Sequence, residues 1–179
     1  MKRIVMSVLT VIAMTAVANA QTDKGDWMVG GDMIINTTSG NSQFTLQPKA
    51  GYFFANNFAA GAEFLLSFGK SDLTKSSAFG VGPFARYYFN INNDHFKPLL
   101  EASFGVQTQT DKGPNYKDSY TVTNFFLGGG AAYFINNNVA LEALAGYNNS
   151  KVENTPASGG FKFRIGFQVH LLGNEIKRK

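Results

Sequence analysis

The chain has 179 residues, a length that suits a single domain. Hydrophobic residues make up 44% and aromatic residues 14%, whereas charged residues reach only 16%, and this mixture indicates a partly apolar environment. No apolar stretch is long enough for a membrane helix, and there is no cysteine for a disulfide, a thiolate metal site or a nucleophile. The net charge of +4 is too small and too scattered to indicate nucleic-acid binding.

The N-terminal segment has the three parts of a secretory signal peptide. Lys2 and Arg3 precede the apolar run 4–17, and Ala18-Asn19-Ala20 follows with small residues around a cleavage point. We predict that residues 1–20 are a signal peptide removed before Gln21, that residues 21–173 form one domain, and that residues 174–179 are a short basic tail. A short buried helix is the alternative interpretation of the first segment.

After this segment the hydrophobic pattern repeats every second residue, which is typical of β-strands. The eight predicted strands cover residues 27–36, 43–54, 58–69, 78–91, 96–107, 121–135, 139–148 and 159–172. Three connections are short and rich in asparagine, at 55–57, 90–94 and 136–138, and four are longer and polar, at 37–42, 70–77, 108–120 and 149–158. Because asparagine suits tight hairpins, this alternation predicts an up-and-down antiparallel barrel with both termini at the short-turn end.

One face of every predicted strand is apolar and uncharged over about 10–12 residues, the length of a tilted strand that crosses a bilayer. The charged residues singled out on the opposite face are four acids and four bases. These residues, the predicted charge belt of the lumen, are Asp32, Lys49, Glu63, Arg86, Glu101, Glu142, Lys162 and Arg164. We predict that Arg86 lies between Glu63 and Glu101, and that barrel closure brings Asp32 toward Lys162 or Arg164. The belt is interpreted as a structural cross-link rather than an ion or proton path, because eight strands leave room only for side chains.

Aromatic residues cluster at both ends of the apolar rows, where membrane barrels have interfacial girdles. The predicted girdle residues are Trp27, Tyr52, Phe54, Phe58, Phe68, Phe79, Tyr87, Phe89, Tyr133, Tyr147 and Phe161. A soluble lipocalin-like barrel, with this face inside, is the alternative. Three prolines on the apolar face, Pro48, Pro83 and Pro98, predict bulges or weak pairing, because proline cannot donate to a β-ladder.

The sequence offers few residues that could catalyse a reaction or bind a cofactor or metal ion. His95 lies in a predicted turn and His170 near the end of the last strand, and they form no recognisable pair with a nucleophile. Gly128-Gly129-Gly130 is not followed by a helix, as a phosphate-binding loop would be. We therefore predict no enzyme activity, no cofactor and no metal site.

Three motifs before the short turns resemble a known family. They are Gly51-Tyr52-Phe53-Phe54, Gly82-Pro83-Phe84-Ala85-Arg86-Tyr87-Tyr88-Phe89 and Ala131-Ala132-Tyr133-Phe134. With them the chain resembles the small eight-stranded outer-membrane β-barrel proteins of Gram-negative bacteria, which include the OmpA membrane domain, OmpX and the OmpW-like proteins. The resemblance implies an all-β transmembrane barrel in the outer membrane, with three short periplasmic turns and four longer extracellular loops. It also implies contact with outer-membrane lipid and lipopolysaccharide, and insertion by the barrel-assembly machinery.

The predicted function is a structural, envelope-integrity or adhesive role exerted through the loops, by a monomer. In the predicted loop 108–120, the candidates for partner binding are Tyr116, Lys117 and Tyr120. The alternatives are a narrow channel or transporter for small hydrophobic compounds, as the OmpW-like kinship implies, and a secreted soluble lipid-binding barrel. The extracellular ligand is not identified by the sequence.

Overall fold

The protein, in a computed structural model, is a closed antiparallel barrel whose eight strands follow each other in chain order. The structure describes residues 22–38, 41–71, 74–91, 93, 95–153, 155–171 and 173, with the backbone alone at 35–38 and 41. The strands are β1 (Trp27–Thr38), β2 (Asn41–Ala55), β3 (Phe58–Ser71), β4 (Lys75–Tyr88), β5 (Phe96–Lys112), β6 (Lys117–Phe134), β7 (Val139–Val152) and β8 (Ser158–Leu171). This confirms the predicted fold class. The predicted signal peptide 1–20 and tail 174–179 lie outside the described residues. Within the described residues, no helix is long and apolar enough to cross a membrane.

At the barrel end opposite the short turns, the β-ladders are longer than the sequence predicts. β5 and β6 stay paired as far as Lys112 and Lys117, so the predicted loop 108–120 is wrong and the connection is only 113–116. Polar side chains continue the pairing, since the hydroxyl groups of Thr110 and Ser119 lie 2.9 Å apart across the hairpin. The predicted loops 37–42, 70–77 and 149–158 are shortened in the same way.

The barrel end at which β1 begins and β8 ends, here called the turn end, is covered by the segment before β1. Asn57 adopts a φ of 66° in the β2–β3 turn, as the asparagine-rich connections predict. Its backbone N–H donates to the Thr22 carbonyl at 2.7 Å. The Lys97 ammonium, from inside the barrel, donates to the Thr22 hydroxyl at 2.8 Å. These bonds hold residues 22–26 beneath the lumen. The opposite barrel end is called the loop end.

Two of the three prolines coincide with gaps in a ladder. The β2–β3 pairs skip from Leu46↔Leu66 to Lys49↔Glu63 around Pro48, and the β4–β5 pairs skip from Val81↔Val106 to Phe84↔Ser103 around Pro83. The register is the same on both sides of each gap, so pairing is interrupted without a bulge. Pro98 lies near the start of β5, where its carbonyl accepts a bond of 2.8 Å from Phe89.

The apolar face of every strand points outward. On β8, for example, Phe161, Phe163 and Ile165 are 82%, 72% and 67% exposed. A soluble protein does not expose apolar rows around its whole circumference, whereas a membrane barrel requires them. The soluble lipocalin-like alternative is therefore wrong.

At some glycines the neighbouring strands approach too closely to leave room for a side chain, and Gly82 on β4 is one of them. A Cβ at Gly82 would meet the backbone carbonyl of Phe104, whereas a Cβ at Gly105 would meet nothing closer than 3.8 Å. We expect Gly82→Ala to lower the free energy of unfolding by about 1–3 kcal/mol. Gly105→Ala, its neighbour-strand control, should change it by less than about 0.5 kcal/mol. Urea unfolding in detergent micelles, followed by the fluorescence of the single tryptophan, measures both, and equal effects would contradict the steric explanation.

Candidate functional site: the ion-pair network of the lumen

The inward side chains form successive layers along the barrel axis. At the turn end they are mostly apolar or aromatic and fully or almost fully buried, a layer of Met28, Phe53, Tyr88, Leu99, Phe134 and His170. The buried Lys97 of β5 also points inward there, with its ammonium 5.7 Å from the centroid of the Phe134 ring. This layer was not predicted, because the inner face was interpreted from the sequence as small or polar. The next layer, near mid-strand, contains the charged residues of the predicted belt.

Glu101 on β5 is the centre of the charged layer. Its carboxylate accepts hydrogen bonds from the Nε and Nη2 of Arg86, on the neighbouring strand β4. The Lys49 ammonium donates to both carboxylate oxygens at 3.1 Å. Arg164 Nη2 lies 2.8 Å from Glu101 Oε1. One buried carboxylate thus compensates cations from three strands.

Arg86 is fully buried and bridges Glu101 to Glu142, on the opposite side of the lumen. Its Nη1 donates to the Glu142 oxygens at 2.8 and 2.7 Å and to the Tyr88 hydroxyl at 2.9 Å. The Tyr88 hydroxyl in turn donates to Glu142 Oε1 at 2.9 Å. The predicted position of Arg86 between Glu63 and Glu101 is therefore wrong for Glu63. In the register, Arg86 lies opposite Ala59, and Glu63 lies four residues further along β3, opposite Gly82.

Asp32 and Glu63 complete the acidic side of the network. Asp32 lies 2.8 Å from the Lys49 ammonium and 3.3 Å from Arg164 Nη1. Glu63 lies 3.7 Å from Lys49 and 3.8 Å from Arg164. The Arg164 guanidinium also stacks on the Phe126 ring, 3.6 Å from its centroid. The belt residue that the structure leaves outside this network is Lys162, which forms no ion pair within 4.0 Å in the described part of the chain.

Glycines make room for the charged side chains. Lys49 lies opposite Gly30, Glu63 opposite Gly82, Glu101 opposite Gly128, and Glu142 opposite Gly166 in the adjacent ladders. Each of these charged residues thus has a glycine directly opposite on one neighbouring strand, which leaves space for its side chain to extend into the lumen. The glycines of the inner face therefore belong to the same arrangement as the charges.

On the loop side of the network the lumen widens into a cavity of about 840 Å³. Its wall carries amides and hydroxyls, including those of Gln43, Thr45, Ser67, Gln107, Asn124 and Asn148. Among the described residues the β1–β8 ladder ends at Met33↔Ile165, so outward side chains of β8 also border the cavity. Beneath this cavity follow the buried ion pairs and then the apolar layer.

The predicted girdle residues lie on the outer face at the two barrel ends. Toward the turn end, Trp27 packs edge-on against Tyr52 with ring centroids 5.2 Å apart, and Tyr87 packs against Phe89 at 5.1 Å. The other members at that end are Phe54, Phe58 and Tyr133, and those toward the loop end are Phe68, Phe79, Tyr147 and Phe161. The outer face therefore has an aromatic rim at each end of its apolar band.

The three candidates for partner binding lie on the β5–β6 hairpin. Tyr116 is 53% exposed at its tip, and its hydroxyl lies 3.2 Å from that of Thr74 in the neighbouring connection. Lys117 is exposed at the start of β6. The Tyr120 hydroxyl, by contrast, donates to Asp111 at 2.9 Å, so this side chain is already hydrogen-bonded within the hairpin.

The ionisation of the Tyr120 phenol reports on the structure of the β5–β6 hairpin. It lies beyond the outward apolar band, which ends on β6 at Phe125, and burial together with its bond to Asp111 raises its pKa to about 12 from the usual 10.0. The neutral phenol is thus favoured in the folded hairpin, and its stabilisation is complete below pH 10.0 and lost as the pH rises through about 12. We expect the difference between the absorbance titrations of the native protein and Tyr120→Phe to show a transition near pH 12. A transition near pH 10.0 would mean that the phenol is neither buried nor bonded to Asp111 in the hairpin.

The two histidines are not part of a common site. His95 is exposed near the β4–β5 turn, whereas His170 is fully buried among Phe53, Tyr88 and Phe134. Among the residues that the structure describes, no group of His, Asp or Glu side chains could hold a metal ion.

The sequence profile described as the outer membrane protein beta-barrel domain matches residues 6–171. The chain belongs to this family. A comparison with curated proteins found no match. Neisserial surface protein A (NspA) is a solved structure with the same fold, with a TM-score of 0.63 and 20% identity over 82% of this chain and 97% of that one. The N-terminal barrel of Pseudomonas aeruginosa OprF gives 0.56 and 14% over 83% and 98%, and Yersinia pestis Ail gives 0.50 and 16% over 82% and 96%. The resemblance and the outer-membrane location predicted from the sequence are confirmed.

Proposed function

We propose that this small outer-membrane barrel is non-enzymatic and non-conducting, and that it acts in the envelope as a structural element with an adhesive extracellular surface. The observation that carries the proposal is the buried network of Lys49, Arg86, Glu101, Glu142 and Arg164, whose side chains meet across the lumen. Separating one of these buried ions from its partners would leave a charge without compensation in the lumen, so the network resists opening to admit a solute.

The apolar layer beneath the network supports the same proposal. Phe53, Tyr88 and Phe134 surround His170 at centroid distances of 5.6, 5.9 and 5.2 Å. A transporter for small hydrophobic compounds needs a path through the barrel, and this packing favours the structural role over that alternative.

The adhesive part of the proposal rests on the loop end. The tip of the β5–β6 hairpin presents Tyr116 and Lys117 to the exterior, and exposed tyrosines supply rigid amphipathic contact area. Ail is named as an attachment invasion locus protein and NspA as a surface protein. We extend an attachment role to this chain on the strength of the exposed hairpin.

Complementation of a strain that lacks the protein tests this proposal. The double variant Tyr116→Ser/Lys117→Ser should keep the envelope barrier to a hydrophobic dye and lose attachment to surfaces. The control Lys151→Ser, an exposed lysine of β7 at the same end, should keep both. Full attachment by the hairpin variant, in cells where heat-modifiable migration shows a folded barrel, would overturn the adhesive role.

A further inference from the structure

The cavity on the loop side of the ion-pair network, here called the loop-end cavity, has no role in the proposed function. Its volume of about 840 Å³ lies in the range of about 300–1,000 Å³ that is usual for small-molecule sites. More than half of its lining residues carry a neutral amide or hydroxyl group, whereas most such sites are lined predominantly by apolar side chains. The wall therefore suits a ligand that is rich in hydrogen-bonding groups.

Hydrogen bonds within and between strands fix part of this polar wall. The Asn148 amide nitrogen donates to the Ser150 hydroxyl at 2.9 Å, and this hydroxyl donates to the Asn124 amide oxygen at 2.7 Å. On the β2–β3 side, the hydroxyl groups of Thr45 and Ser67 lie 2.8 Å apart. These bonds do not use the Asn124 amide nitrogen or the Asn148 amide oxygen. A donor and an acceptor held near each other suit the adjacent hydroxyls of a sugar, because each hydroxyl both donates and accepts.

Lys162 on β8 is the one charged residue among the described residues that line the loop-end cavity. It is two residues before Arg164 on the inward face, so it lies between the network and the loop end. It also lines a cleft of about 30 Å³ that continues from the cavity toward Gln47 and Arg164, which places it at the inner end of the cavity.

The ammonium of Lys162 has no counter-charge. Although the residue is half-buried, it forms neither an ion pair nor a hydrogen bond within the described ranges. A partly desolvated cation of this kind is stabilised by a ligand that brings one negative charge. The inner end of the cavity therefore favours an acid group.

Acidic residues lie nearer to the mouth of the loop-end cavity. Asp111 and Asp118 are opposite each other on the inward face of the β5–β6 hairpin, and Asp111 is two residues beyond Gln109 of the cavity wall. This pair repels a ligand with many negative charges along its length. A ligand with a single acid group can place it at Lys162, away from the two carboxylates.

We propose that the loop-end cavity binds a soluble saccharide with one carboxylate, whose acid group pairs with Lys162 and whose hydroxyls bond to the amides of the wall. An apolar compound would remove these amides from water without replacing their hydrogen bonds, which is costly. A neutral saccharide would leave Lys162 without a counter-charge. The site uses neither Tyr116 nor Lys117 and needs no path through the network, so its failure would leave the proposed function untouched.

Calorimetric titration of the purified barrel in lipid nanodiscs with cellobiose and with cellobiouronic acid tests the proposal, because the two disaccharides differ by one carboxylate. We expect the native protein to bind the acid at least about tenfold more tightly, through a charge-assisted contact. Lys162→Gln should remove this difference and leave the affinity for cellobiose within about twofold. The control Lys112→Gln, at an exposed lysine outside the cavity wall, should change both affinities by less than about twofold.

Gln107→Leu tests the polar wall separately from the charge. Gln107 is half-buried in the wall and forms no hydrogen bond with another described residue, so its replacement leaves no protein group unpaired. We expect this variant to bind both disaccharides about threefold to tenfold more weakly than the native protein. Heat-modifiable migration identifies the folded fraction of each variant used in the titrations.

Equal affinity of the native protein for cellobiose and cellobiouronic acid would overturn the proposal. Unchanged affinity for the acid in folded Lys162→Gln would also overturn it, as would the absence of binding at millimolar concentrations in both calorimetry and equilibrium dialysis. Binding of linear triglucuronic acid at least about tenfold more tightly than cellobiouronic acid would contradict the single acid group and assign the cavity to a polyanion.

Discussion

Glu101→Gln is expected to lower the free energy of unfolding by about 3–5 kcal/mol, because it leaves buried cations short of a negative charge. Lys49, Arg86 and Arg164 all contact this carboxylate, and its side chain is fully buried. Glutamine has nearly the same shape, so the loss reports charge compensation and not a cavity. Urea unfolding of the refolded barrel in lipid vesicles, followed by Trp27 fluorescence, measures it.

The matched control is Glu153→Gln, which removes an acid that is exposed after β7. It should change the free energy of unfolding by less than about 0.5 kcal/mol. If the two variants were equally stable, the charged layer would be hydrated enough to screen its ions, and the view of a dry, cross-linked lumen would fail.

The second large effect is expected for Arg86→Leu, which should lower the free energy of unfolding by about 2–5 kcal/mol. The effect should depend on which glutamate is replaced together with Arg86. Without Arg86, Glu142 loses its ion-pair partner and retains the hydroxyl of Tyr88. Glu101, in contrast, retains Lys49 and Arg164. The double variant Arg86→Leu/Glu142→Leu should therefore recover much of the loss, because it removes the orphaned charge with its partner.

The control for this rescue is Arg86→Leu/Glu101→Leu, which should be no more stable than Arg86→Leu alone, because Lys49 and Arg164 then lose a counter-charge as well. Lys112→Leu, on the exposed hairpin, should have almost no effect. If Arg86→Leu/Glu142→Leu and Arg86→Leu/Glu101→Leu were equally stable, Arg86 would have no preferred partner in the lumen. Urea midpoints of the four proteins, measured under identical conditions, decide between the outcomes.

Strand alternation was sufficient to predict that the eight belt residues face inward, since residues two apart on a strand share a face. The same alternation places Lys97 inward, and this residue was omitted from the predicted belt. Alternation could not predict which of the belt residues pair. Arg86 meets Glu142, which belongs to β7 and not to a neighbour of β4, because the lumen is narrow enough for side chains to reach across it. A prediction from adjacent strands alone therefore assigned Glu63 to Arg86.

Two further features of the lumen have a signal in the sequence. Tyr88 is two residues from Arg86, on the same inward face, and could have been assigned to the network by alternation. The consecutive aromatics Phe53 and Phe54 place one ring on each face, which indicates an apolar layer inside the barrel as well as outside. The length of the hairpins had no such signal, because polar residues pair as readily in a ladder beyond the membrane as they form loops.

Single-channel recording of the native barrel in planar bilayers tests the central claim most directly, namely that the ion-pair network and the apolar layer beneath it close the lumen. The account predicts insertion, shown by heat-modifiable migration of the recovered protein, with no steady current above the baseline of the bilayer. Large and stable single-channel openings of the native protein would contradict it, because they would show that water and ions pass between Arg86, Glu101 and Glu142.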